Sequence, residues 1–142
     1  MRLVAITGAI VVLLALAASG SAARNPSFAF GRTGWNVEPY TVKIGSTGKI
    51  SAVGPITLRN EDKRLATTAL TRLLGLAVKE RFFALPRRVT CAGSLPDFAS
   101  MFVTVSTATR TRTVVVRGSC SARFEAVLSA LQTAAGVPVS QR

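Results

Sequence analysis

The chain has 142 residues, of which 18 are Lys or Arg, six are Asp or Glu and none is His, and its formal net charge is +12. Without histidine, Ser-His-Asp and Cys-His catalysis are excluded, as are the common histidine-containing metal sites. The length suits one domain with one modest core, and two domains would each be too small to stand alone.

The first residues, MRLVAITGAIVVLLALAASGSAA, place Arg2 before a nearly continuous apolar run and end it in small residues. That is the three-part pattern of a secretory signal peptide, and cleavage after Ala22 or after Ala23 fits the small-x-small rule. The alternative is an uncleaved membrane anchor, for which the run is short, since a span needs ~20 apolar residues. The reading is therefore a signal peptide over residues 1–23, an irregular lead-in over 24–36, one α+β domain over 37–138 and a tail over 139–142. The protein is expected outside the cytoplasm, with no membrane span after cleavage.

Residues 24–34 (RNPSFAFGRTG) carry Gly and Pro and read as extended chain, with Phe28 and Phe30 able to dock on the domain. Glu38-Pro39 then fixes an extended start to the next strand. Tyr40-Thr41-Val42-Lys43-Ile44 alternates, residues 45–48 form a glycine turn, and residues 49–54 alternate again. This is a β-hairpin with Tyr40, Val42, Ile44, Ile50 and Ala52 facing the core. Asn60 offers an N-cap, with Glu61 and Asp62 suited to the helix dipole. Leu65, Ala66, Ala69, Leu70, Leu73, Leu76 and Ala77 then make one helical face, and the helix should end near Arg81. Residues 87–98 read as a loop. Two more strands follow at 100–106 and 111–117, with Met101, Val103 and Val105 on one face and Val114 and Val116 inward. Ser121 is a candidate N-cap for a last helix, with Phe124, Val127, Leu128, Leu131 and Ala135 on its apolar stripe and Glu125, Ser129 and Gln132 facing away. Gly136 and Pro138 end it in the expected order.

The expected order is ββα-ββα: a four-stranded antiparallel sheet with both helices on one face and one disulfide. Cys91 and Cys120 are the only cysteines, and in an exported chain of this size two cysteines read as a bridge. A metal site needs more ligands, a catalytic thiol needs a base, and a redox pair usually lies close in sequence.

Tyr40, Val42, Ile44, Gly48, Gly54, Phe82, Phe83, Leu85 and Asp97 carry a resemblance over residues 40–116. The pattern is a Y-x-V-x-I strand, a glycine turn, F-F-x-L after a helix and an L-P-D loop. It resembles an exported bacterial domain family of unknown function, and a set of small actinobacterial-type secreted proteins with paired cysteines. The resemblance implies export and an α+β fold, and it brings no established activity. A cysteine often precedes the first strand in that family, and none stands there in this chain.

No phosphate-loop, calcium-loop or cofactor motif occurs. Of the carboxylates, Asp97 follows Pro96 in the cysteine loop, either as a turn residue bonded to backbone or as part of a site. The candidate binding residues are Arg87, Arg88, Asp97, Arg110 and Arg112, set against the alternative of a solvated positive surface. Arginine outnumbers lysine fourteen to four, and no basic run is interleaved with aromatics as in single-strand nucleic-acid binders. The expected function is a non-enzymatic domain that binds a macromolecular partner, such as an anionic envelope polymer or a protein, with no specific nucleic acid and no cofactor. The alternative is a secreted-protease inhibitor that offers Arg87 or Arg88 from a loop held rigid by the disulfide.

Overall fold

The computed structural model describes residues 24–34 and 36–138. The expected signal peptide and the tail lie outside the described residues. The elements in chain order are strands β1 (Ser27–Thr33), β2 (Tyr40–Ile44) and β3 (Ile50–Val53), helix α1 (Thr67–Lys79) and a short 3-10 turn (Phe82–Ala84). Strands β4 (Arg88–Thr90), β5 (Ser100–Ser106) and β6 (Thr111–Arg117) and helix α2 (Ala122–Ala135) follow. The protein is thus α+β, as expected, but the described residues form a sheet of six strands in the order β3-β2-β1-β5-β6-β4. It is also mixed, because β4 runs parallel to β6.

The four-stranded antiparallel expectation failed at two places. The expected irregular lead-in is β1, which pairs antiparallel with both β2 and β5 and joins the two hairpins into one sheet. Its sequence SFAFGRT alternates, and Phe28 and Phe30 are buried. Gly31 is tolerated because the chain comes so close to the Tyr40 carbonyl that a Cβ would stand 2.0 Å from its oxygen, a place where only glycine fits. The second miss is β4, inside the expected loop at 87–98. Three residues are too few to show a period, and the pairing is set by tertiary contacts with β6: Val115 donates to the Arg87 carbonyl and Cys91 to that of Arg117.

The first hairpin forms as its alternation dictates, with Tyr40, Val42, Ile44 and Ile50 buried and Ala52 half-buried. Helix α1 begins at Thr67 rather than just after Asn60, and its N-cap Ala66 makes no side-chain cap. Residues 60–65 are held instead against the edge of β3, where Ile50 donates to Lys63, Asp62 to Ile50 and Leu65 to Gly48. Edge-strand donors and acceptors are costly to leave unpaired, so this pairing overrides the helical pattern. From α1, Leu70, Leu73 and Ala77 enter the core. Helix α2 spans the predicted residues and buries the predicted stripe, and it ends at Gly136 in the left-handed region. Gln132 does not face away: it is 5% exposed, and its amide acts on the Tyr40 hydroxyl, lowering the pKa that burial raises.

Strand residues of one parity meet both helices in a single core: Phe28, Phe30, Val42, Ile44, Val103, Val105, Val114 and Val116 pack with Phe82, Phe124 and Leu131. The Cys91–Cys120 disulfide, with Cα atoms 5.7 Å apart, ties the end of edge strand β4 to the start of α2. Among the described residues no helix is long and apolar enough to cross a membrane.

Candidate functional site

Among the described residues, the second face of the sheet carries no helix. Cross-strand register puts Ser51, Lys43, Ala29, Thr104 and Thr113 in one row across it, and Val53, Thr41, Gly31, Phe102, Val115 and Arg88 in the next. Paired hydroxyls stiffen this face: Thr104 and Thr113 lie 2.8 Å apart, and Thr111 donates to Ser106 at 3.1 Å. Such pairs each contribute a fraction of a kcal/mol and hold side chains in fixed rotamers.

The charge on the strands is of one sign. Arg32, Lys43, Arg88, Arg112 and Arg117 stand in strands, and no Asp or Glu stands in any of the six. Lys43, Arg88 and Arg117 belong to the helix-free face by register. Arg32 and Arg112 sit on the opposite parity, near strand ends. The Arg32 guanidinium lies 5.3 Å from the centre of the Tyr40 ring and donates to the Glu38 carbonyl at 3.0 Å, and Arg112 donates to the Leu85 carbonyl. The Nε atoms of Arg32, Arg112 and Arg117 are buried without a hydrogen-bond partner among the described residues.

Among the described residues, shallow pockets lie at opposite ends of the sheet. At the disulfide end, Thr33, Gly34, Pro96, Phe98, Ser100 and Arg117 enclose about 160 Å³. The 94–98 segment there is fixed by the Ser94 hydroxyl, 2.7 Å from the Cys91 carbonyl oxygen and 3.2 Å from that of Arg117. It leaves Leu95 and Phe98 exposed by more than half. At the end of the β5–β6 turn, Val78, Arg81, Phe83, Ala84 and Arg110 enclose about 260 Å³. The Arg110 guanidinium stacks 3.7 Å from the centre of the Phe83 ring. Arg81 has φ 53°, in the left-handed region. Phe83 is turned into place by the 3-10 turn, whose Phe82 is fully buried and meets Phe83 edge to face at 6.2 Å.

The candidate residues from the sequence are therefore divided. Arg110 lines the larger pocket and Arg112 bonds beside it. Asp97 is exposed in the loop at the other end. Arg87 and Arg88 are exposed, and Arg88 belongs to an edge strand rather than to a free loop. Sequence reasoning missed Arg81, Phe83 and Arg117 as site residues. Arg81 carried a usable signal: it holds the position after a helix where glycine is usual. Phe83 and Arg117 carried none, because their neighbours come from distant segments.

No group of three or more Cys, Asp or Glu among the described residues could hold a metal ion. Comparison of the chain with protein families, with curated proteins and with solved structures finds no match.

Proposed function

We propose that this is an extracytoplasmic, non-enzymatic domain that binds an anionic macromolecular partner on the helix-free face of its sheet. The observation that carries the reading is the charge of that face: its strand residues include three cations, Lys43, Arg88 and Arg117, and no carboxylate. A stiff face with cations and no carboxylate steers anionic partners and leaves little like-charge cost on docking. The disulfide and the leader-like first residues support the compartment, since structural bridges persist outside the reducing cytoplasm.

The test is elution of the purified protein from immobilised polyglutamate and heparin under a salt gradient. Reversing Lys43 and Arg88 to Glu should move elution to much lower salt. A control that reverses Arg72 and Arg123, exposed on α1 and α2, removes the same charge from the helical side and should move it less. Equal shifts for the two pairs would mean general attraction to a basic body, and the sheet-face reading would fail.

A further inference from the structure

We infer that the pocket formed by Val78, Arg81, Phe83, Ala84 and Arg110 binds a carboxylate joined to an apolar group. The inference does not rest on the sheet-face reading, because none of these residues lies on that face. Arg110 supplies the first argument. Its guanidinium is stacked on Phe83 at 3.7 Å, so the ring holds the plane of the cation and covers one side of it. The in-plane N–H edge stays available for a bidentate oxygen pair, the geometry in which arginine recognises carboxylates. The side chain is already ordered, so binding loses less entropy there.

Arg81 supplies the second. It lies at the end of α1, where Glu80 donates to Leu76 and Arg81 to Val78. The left-handed conformation needed there suits glycine and strains a residue with a Cβ. An arginine is nevertheless held in that conformation beside a second arginine. Among the described residues no carboxylate lines the pocket, although Glu80 adjoins Arg81 in the chain.

The third argument is the other wall. Val78 is 52% exposed on α1, and with Phe83 and Ala84 it makes an apolar surface against the two cations. Inorganic phosphate would use the cations and waste that wall, and a neutral apolar group would leave the cations unused. The volume of about 260 Å³ is just under the ~300–1,000 Å³ of drug-sized sites, so the occupant is one side-chain-sized group. It is either a small organic acid or the last residue of a peptide.

Amide-resolved NMR titration of the full protein tests this with phenylacetate, phenylacetamide, inorganic phosphate and a hexapeptide ending in Phe, with its C-terminus free or amidated. Phenylacetate should bind with a Kd on the order of millimolar and shift the amides of Arg81, Phe83 and Arg110. Phenylacetamide and phosphate should bind about tenfold more weakly or worse. Arg110→Lys should weaken phenylacetate binding several-fold by removing the planar fork. Arg81→Gly should also weaken it, while raising Tm, so that lost binding cannot be blamed on lost folding. A free-terminus peptide tighter than phenylacetate assigns the site to chain ends, and the reverse assigns it to small acids; both sustain the carboxylate site. No binding, equal binding of acid and amide, phosphate as tight as phenylacetate, or unchanged binding in both variants overturns it.

Discussion

The Asn60 side-chain amide donates to the carbonyl of Ala134 at 3.0 Å, in the last turn of α2. The neighbouring backbone joins in, with Arg59 donating to Gly136 at 3.0 Å. Asn60 thus closes a helix C-terminus, where carbonyls lack partners and the dipole end is negative. Asn60→Asp should destabilise the protein by about 1–2 kcal/mol, because a carboxylate cannot donate and is repelled by that end. At a helix N-cap the same change would be nearly neutral, since Asn and Asp cap equally well. Urea unfolding of the variant at neutral pH measures the difference, and an unchanged midpoint would put Asn60 in the N-cap role.

Gly31 is enclosed from two sides. A Cβ there would stand 2.0 Å from the Tyr40 carbonyl oxygen and 2.9 Å from Cε1 of Phe102. The phenyl ring can move, but the carbonyl belongs to the backbone of a neighbouring strand. Gly31→Ala should therefore cost about 2–3 kcal/mol, at the upper end of overpacking penalties. Thermal unfolding checks it. Adding Phe102→Ala should recover little of the loss, and full recovery would mean the ring, not the carbonyl, sets the limit.

How far the chain could be read follows from how local each feature is. The β2–β3 and β5–β6 hairpins, the apolar stripe of α2, the glycine at its end and the disulfide were all legible, because each rests on short-range alternation, helical spacing or covalent pairing. Strand β1 was hidden because Pro26 and Gly31 look like breakers until β2 and β5 are known to flank it. The start of α1 was misplaced because Asn60 is a sound cap in isolation, and only the edge of β3 and the end of α2 show what claims residues 58–65. Gln132 was assigned to water by helical position, and its burial depends on Tyr40 from a distant strand. The larger pocket was half visible: Arg110 stood out as a charge, while its contact with Phe83 joins segments 27 residues apart.

The disulfide spans a sequence separation of 29 residues, a loop that contains β5 and β6. Closing a loop of that length removes unfolded-chain entropy equivalent to about 3.5 kcal/mol. Replacing Cys91 and Cys120 by Ala should lower stability by roughly that amount, and thiol labelling of the wild-type protein under denaturing, non-reducing conditions should find no free thiol. The loss should fall mainly on β4, a three-residue edge strand held by its pairing with β6 and by the bridge. Hydrogen exchange of the Val89 amide should quicken more in the double variant than that of Val103 in β5, and uniform quickening would mean that β4 has no separate dependence on the bridge.

Tyr40 is the only tyrosine, so tyrosinate absorbance reports on it alone. Burial pushes its pKa above the ordinary 10.0, partly offset by the Arg32 charge and the Gln132 hydrogen bond. The folded protein therefore keeps the phenol protonated to higher pH than the unfolded chain does. Below pH 10 this group contributes no pH dependence to stability. Above it the unfolded state releases the proton first, so stability falls as pH rises from 10 through the folded pKa. The absorbance titration should have its midpoint above 10, and Arg32→Met should move it higher by removing the favourable charge. Between pH 9 and 11, Tyr40→Phe should lose less stability than wild type. A folded-state midpoint at or below 10 would mean that water reaches the hydroxyl, and that Gln132 and Arg32 do not close over it.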